Sequence, residues 1–410
     1  MSKRPVIVLC PHFAPDTAPT GVIYTRLVEE LVAQGHRVQV VTALPWYREH
    51  RIEDGWRGRV WRTEKTEWGS ITRVTPFPGK SKKNLLRRAA GFVGFTALVG
   101  LRGLFAGGLG KAHAVIAMSP PLTLGLTGRL IATARRAPLI FNVQDIFPDA
   151  AVATEKIKGK KLIAFAGWLE RITYRLSDSV VVLADSMREN VAAKTKHPER
   201  VLVIPNFVDT DLVVPMDRMT TYRYELGLGD GPVVMYAGNL GYSQSVELMI
   251  DVARQLPTVT FLINGEGSTR DELVTRAKGL GNVRFGAYQP QERLAEVLAT
   301  GDVHIVPLRA GLGSVSVPSK TYSILAAARP VIASIDEGTE VARVVQDAQA
   351  GICVSPDDAA ALKSAIEAML AKSDLAKEMG ARGRIWVEAH ASPISVARAY
   401  SDLMKDLASE

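Results

Sequence analysis

Two cysteines, Cys10 and Cys353, are all that the 410 residues contain. That excludes a disulfide scaffold and a structural zinc site, and it suits a reducing compartment. No cluster of Asp, Glu or His shows metal-ligand spacing, so no metal and no other cofactor is expected. Two phosphate-binding signatures are missing as well. No stretch reads G-x-x-x-x-G-K-[ST], which argues against a P-loop, and none reads G-x-G-x-x-G, which removes the dinucleotide fingerprint. There is no short-period repeat and no low-complexity tract. The opening "MSKRPVIVLC" is charged and then apolar, but "PHFAPD" interrupts it before the apolar core of a leader forms, so it reads as a first buried strand.

What is present is a folded globular composition, with 47% hydrophobic and 22% charged residues, in a chain long enough for two domains. The net charge of +8 is unevenly placed: residues 1–200 hold 31 Lys+Arg against 16 Asp+Glu, and residues 201–410 hold 19 against 26. A basic first half implies an anionic surface as its partner, against the plainer reading of chance placement of solvated charge. Nothing in the sequence indicates a nucleic acid.

The first half alternates apolar strands with helical runs. "PVIVLC" leads into "VIYTRLVEELVAQG", whose Val22, Ile23, Leu27, Val28 and Leu31 recur at helical spacing; Gly35 ends it and "RVQVVTA" follows. This βαβ unit requires a parallel sheet. Further strands are expected at "AVIAMS", "PLIFNVQD", "SVVVLA" and "RVLVIPN". The second half starts afresh with "PVVMYAG", "VTFLING", "VRFGAY", "VHIVPL" and "PVIAS". The expected fold class is α/β, with two doubly wound Rossmann-like domains facing a cleft. Their spans are 1–205, a linker 206–230, a second domain 231–388, and an amphipathic helix over 389–410.

One stretch stands apart. "GKSKKNLLRRAAGFVGFTALVGLRGLFAGGLG", Gly79–Gly110, sets Lys80, Lys82, Lys83, Arg87 and Arg88 before an apolar run interrupted by Arg102. It is too broken and too glycine-rich for a spanning helix. A helix lying in an anionic membrane interface is the expectation, and a core helix with a solvated basic lead-in is the alternative.

Glycines follow three strands of the second half: Gly238 and Gly241 in "GNLGYSQ", Gly265 and Gly267 in "NGEGSTRDEL", and those of "RAGLGSVSVPSK". At one sheet edge they would let backbone N–H groups approach a phosphate. In "VPSKTYSILAAARPV", Ser316 can cap a helix, Pro318 suits its first turn, and Ser319 and Thr321 lie near free N–H groups. Lys320 adds a full charge to the helix end and Arg309 offers another, so a diphosphate fits there. The alternative is a surface lysine at a capped helix.

These stretches, in this order, resemble glycosyltransferase family 4, retaining sugar-nucleotide transferases of GT-B fold. "PHFAPDTAPTGVIYTRLVEELVAQGHRVQVVTALPWY" is similar to the family's opening, "VIPNFVD" to its interdomain segment, and "YAGNLGYSQSVELMI" to the form found in transferases of bacterial surface-polysaccharide assembly. "NGEGSTRDELV", "NVRFGAYQPQERLAEVLATGDVHIVPL" and "VPSKTYSILAAARPVIAS" complete the series. The resemblance implies a nucleotide-sugar site in the second domain. Tyr288 and Gln289 would lie by the base, Gly238, Asn239, Gly241 and Gln244 along sugar and phosphate, and Lys320 on the diphosphate. The first domain would hold the acceptor, with His12, Thr20 and Gly21 in its opening loop. Asp145 of "FNVQDIFPD" would face the reacting groups; His12 has a buried or capping role as its alternative.

The chain also departs from the family. Asn239 and Gln244 stand in the region where many members carry Arg and Lys, Val315 and Ser323 where many carry glutamates, and Ala328 where a glycine is usual. Lys320 would therefore carry more of the diphosphate's charge, and Ser323 would replace a ribose-binding glutamate. The expected function is transfer of a sugar from UDP, ahead of GDP, to a lipid-linked or glycan acceptor. The expected place is the cytoplasmic face of the cell membrane, peripherally bound. A sugar-nucleotide epimerase of the same fold is the alternative enzyme, and a degenerate scaffold the alternative outside enzymes.

Overall fold

The computed structural model describes residues 4–48, 51–76, 85–146, 159–312 and 320–409. The chain divides into two compact units, Met1–Asn206 with Val396–Glu410, and Phe207–Ser395.

The first unit is built on eight strands among the described residues: β1 (Val6–Leu9), β2 (Val38–Ala43), β3 (Trp61–Thr66), β4 (Gly69–Val74), β5 (Ala114–Ser119), β6 (Leu139–Val143), β7 (Ser179–Val182) and β8 (Val201–Val203), in the order β3-β4-β2-β1-β5-β6-β7-β8. β1, β2, β5, β6 and β7 are buried on both faces, as parallel strands covered by helices must be. All neighbours pair parallel except β3 with β4. That hairpin was not foreseen. β3 reads "WRTEKT", is largely exposed, and closes the sheet with charged side chains rather than an apolar run.

Three helices of this unit form one layer. Leu85–Leu104 contacts β1, β2 and β4, Thr123–Ala134 contacts β5 and β6, and Lys160–Leu176 packs beside Thr123–Ala134. Phe95 and Val99 are in the core, so the apolar run of 79–110 covers the sheet with one face, as the core-helix reading expects. Lys80, Lys82 and Lys83 lie outside the described residues, as do the side chains of Arg87 and Arg88. No helix among the described residues is long and apolar enough to cross a membrane.

The C-terminal helix, Pro393–Ser409, returns to this unit from Val396 onward. Tyr400 is buried in it, and Ser401 Oγ donates to Gln34 Oε1 (2.6 Å) at the end of helix Pro19–Ala33.

The second unit carries six parallel strands among the described residues: β9 (Val233–Ala237), β10 (Thr260–Asn264), β11 (Val283–Gly286), β12 (Val303–Pro307), β13 (Val331–Ser334) and β14 (Gly351–Val354), ordered β11-β10-β9-β12-β13-β14. β14, also unforeseen, is a four-residue edge strand. Residues 206–230, expected as a linker, are largely part of this fold: Tyr222 and Leu228 share a core with Val233, Met235, Leu262 and Val297.

Candidate active site

In a parallel sheet every strand ends at the same edge, and ligands gather where the strand order reverses. In the second unit that point lies between β9 and β12. The loop after β9 begins Gly238-Asn239-Leu240-Gly241, and the loop after β10 begins Gly265-Glu266-Gly267. The two are zipped together by backbone bonds, Gly238 N to Asn264 O (2.9 Å) and Leu240 N to Glu266 O (2.8 Å). The close approach requires glycine. A Cβ on Gly265 would stand 1.8 Å from the Gly238 carbonyl oxygen, and one on Gly267 2.1 Å from that of Leu240.

Lys320 crosses this glycine floor from the start of helix Lys320–Ala326. Its Nζ donates to Tyr236 Oη (2.7 Å) and lies 4.0 Å from the centroid of that ring. Tyr236 Oη in turn donates to Asn239 O (2.5 Å), so β9, the glycine loop and the ammonium form one connected unit. A Cβ on Gly238 would come within 3.1 Å of Nζ. Burial pushes the Lys320 ammonium down to about 7 from the ordinary 10.5, and no carboxylate among the described residues counters that effect. Lys320 is half-buried, and a cation drawn partly out of water without an anion is disfavoured, so an entering anion relieves the cost.

The other expected donor-side residues lie in the loops after β9 and β11 and on the helix of Lys320. Gln244 Oε1 accepts from Gly241 N (3.1 Å), which fixes the turn of the first loop. Tyr288 is exposed after β11, and Gln289 Oε1 accepts from Arg293 (3.2 Å). Thr321 is buried, and its hydroxyl has no hydrogen-bond partner among the described residues. Ser323 is half-buried one turn beyond Lys320. Ser316 and Ser319 lie outside the described residues.

Arg309 is placed differently from its expected role as a second free charge. Its guanidinium pairs with Glu247 (2.5 Å) and donates from Nε to Tyr242 O (2.5 Å). It therefore ties the loop after β12 to the loop after β9. Two carboxylates finish that anchoring: Asp357 accepts from Ser245 Oγ and from Ala310 N, and Asp336 accepts from Gly311 N (2.7 Å).

In the first unit the strand order reverses between β1 and β5. His12, in the loop after β1, bonds through Nδ1 to Oδ2 of the buried Asp16 (2.7 Å) and stacks on Trp46. Asp16 Oδ1 also accepts from Tyr47 N. Gly21 is held close: a Cβ there would meet His12 Cβ at 2.9 Å. Thr20 is half-buried at the start of the same helix. Buried Arg73 donates to the carbonyls of Phe13 and Ala14 and so supports the loop from beneath. Asp145 is exposed just past β6, two positions beyond Val143.

Most of the residues of both units match known sequence families. Residues 20–206 fit the glycosyl transferase 4-like domain, and residues 231–372 fit the glycosyl transferases group 1. The chain is a family 4 glycosyltransferase. Over 377 residues it is 27% identical to WcaI of Escherichia coli (strain K12), assigned to colanic acid biosynthesis as a glycosyl transferase; the match covers 89% of this chain and 92% of the other. In fold it is similar to sucrose-phosphate synthase from Thermosynechococcus elongatus, with a TM-score of 0.73, 19% identity, and coverage of 99% and 100%. It is also similar to Anabaena HepE in complex with UDP and glucose, with a TM-score of 0.66, 14% identity, and coverage of 98% and 99%. These structural likenesses establish the GT-B fold.

Several residues that build the transferase's site were not singled out from sequence. Tyr236 was read only as part of an apolar strand. Asp16 was visible four positions after His12 in "PHFAPD", the one local signal of the pair. Glu247, Asp336 and Asp357 sit 62, 25 and 47 positions from the loop residues they hold, and nothing local marks them.

Proposed function

We propose that the transferase moves a sugar from a nucleoside-diphosphate sugar, UDP- ahead of GDP-, to a lipid-linked or glycan acceptor. It does so with retention at the anomeric carbon, at an anionic membrane surface, in the assembly of a surface polysaccharide or glycolipid. The observation that carries the reading is the desolvated, carboxylate-free ammonium of Lys320 over the glycine floor. A diphosphate supplies the missing anion. As the bond between the anomeric carbon and the phosphate oxygen breaks, negative charge grows on the leaving diphosphate, and Lys320 stabilises it. The acceptor oxygen then bonds to the anomeric carbon on the vacated face. Its proton passes to the departing phosphate oxygen, so no protein nucleophile takes part. His12, Thr20 and Gly21 belong to the acceptor side, and Asp145 to the sugar or acceptor. Ser323 takes the ribose in place of a carboxylate. A surface polysaccharide role accords with the likeness to WcaI, and a UDP donor with that to HepE.

Release of free nucleotide, measured with and without membrane extract, tests the reading. A transferase releases it only with acceptor present. An epimerase changes the sugar without net release, and a scaffold does neither.

A further inference from the structure

The first unit's helix layer has an outer face that nothing among the described residues covers. Helix Leu85–Leu104 buries Phe95 and Val99 and turns Val93, Ala97 and Leu101 outward, with Phe105 continuing the stripe one turn on. Helix Thr123–Ala134 exposes Leu130, and helix Lys160–Leu176 exposes Phe165 and Trp168, whose rings stack at 5.7 Å. These side chains are large and more than half exposed: Val93 60%, Phe105 56%, Leu130 70%, Phe165 58% and Trp168 51%.

Glycines on two of the helices explain why the three act as one surface. A Cβ on Gly103 would meet Ile131 Cδ1 at 2.5 Å, and one on Gly125 would meet Thr173 Cγ2 at 2.1 Å. Side chains of one helix thus seat directly on the glycine backbone of the next, which brings the helices close and sets their outer faces side by side.

The charge of this layer is one-sided. Leu85–Leu104 and Thr123–Ala134 contain no acidic residue at all. Lys160–Leu176 contains one, Glu170, which is buried and bound to Lys194 Nζ (2.9 Å). Arg171 and Arg175 are exposed on the helix that carries the aromatic pair. Exposed apolar and aromatic side chains, exposed arginines beside them and no exposed carboxylate among the described residues of the three helices are what an anionic lipid interface selects. A second copy of this chain would bring the same basic face, and like charge would oppose that pairing.

We infer that the outer face of helices 85–104, 123–134 and 160–176 is the membrane-docking surface, with Phe165 and Trp168 inserting among anionic lipids. This deepens the membrane-surface reading above and relocates its centre from the 79–110 segment alone to the three-helix layer.

Co-sedimentation of the full chain with phosphatidylglycerol vesicles and with phosphatidylcholine vesicles at low salt tests it. The variants are Phe165→Ser/Trp168→Ser and Arg171→Gln/Arg175→Gln. Wild type should partition to the anionic vesicles, and intrinsic Trp fluorescence should shift to the blue on binding. The aromatic double variant should bind at least tenfold more weakly, and the arginine variant should lose most of its preference for anionic over neutral lipid. All affected positions are exposed, so both variants should keep the wild-type melting temperature and its rise with UDP. That UDP response reports the donor reading separately from the lipid one. Wild type indifferent to anionic vesicles, or an aromatic variant that binds as well as wild type, overturns the inference. So does a concentration-dependent dimer that the aromatic variant dissociates, with vesicle binding unchanged.

Discussion

Replacing Lys320 by methionine keeps the length of the side chain and removes its charge, and the structure sets the size of the response. With the ammonium held at about 7 in the free protein, about nine-tenths of the molecules carry the charge at pH 6 and about one-tenth at pH 8. In the proposed binding mode a diphosphate lies beside the ammonium and raises its affinity for the proton. Donor binding above pH 7 is therefore coupled to proton uptake. The apparent Kd of wild type for a UDP-sugar should rise roughly tenfold from pH 6 to pH 8, because the charged fraction of Lys320 falls about tenfold across that range. The Lys320→Met variant should bind more weakly at pH 6, by about 1.5–3 kcal/mol for a lost charge-assisted contact, and its Kd should be flat with pH. Titration calorimetry in two buffers of different ionisation enthalpy reads both the Kd and the proton uptake.

Stability moves the other way. The folded lysine binds its proton less tightly than the unfolded one, so the unfolded state holds more protons between pH 7 and 10.5, and stability rises with pH across that window. The variant should melt higher than wild type at pH 6, with the gain shrinking as pH rises towards 10. A wild-type Kd that does not change between pH 6 and 8, or a variant that binds donor like wild type, refutes the assignment.

Gly265→Ala should abolish donor binding and lower the melting temperature, since the new Cβ would lie 1.8 Å from the Gly238 carbonyl oxygen at a φ of +155°; ligand-induced thermal shift measures both. Ala328→Gly should stabilise the protein by about 1 kcal/mol in urea unfolding. Ala328 ends its helix at a φ of +53°, with Arg329 N bonded to Ile324 O and Ala328 N to Leu325 O, a left-handed cap that favours glycine. Transfer activity should survive EDTA, with product formation as the readout; a strict need for added Mg²⁺ or Mn²⁺ would move the diphosphate's neutralisation away from Lys320.

The fold was legible wherever burial on both faces wrote an apolar run into the chain, as in "VIVL", "AVIAMS" and "VHIVP". It was illegible at sheet edges. β3 is held by pairing to β4 and exposes charged side chains, and β14 is only "GICV". The position of Lys320 could be read from the sequence, but its state could not. The low proton affinity comes from burial against Tyr236, 84 positions away. Arg309 shows the converse. Its charge was plain in the sequence, but Glu247, which occupies it, reaches it only through the fold.

That contrast separates the roles of the basic groups around the two sheet edges. Arg309 is paired with a carboxylate, and swapping Glu247 for a phosphate would exchange one anion for another at the cost of the loop it anchors. His12 is held through Nδ1 by a buried carboxylate, which orients the ring and leaves only Nε2 to meet a ligand. Such a ring suits a single directed hydrogen bond to a sugar or acceptor hydroxyl, not neutralisation of a diphosphate. Lys320 alone of the three rests on neutral partners, an aromatic ring and a phenol oxygen. Its desolvation is uncompensated until an anion arrives, so the favourable change on binding is largest there. In the proposed transfer it would be largest of all in the transition state, when the leaving diphosphate gains charge, and this is the condition under which a binding contact becomes a catalytic one.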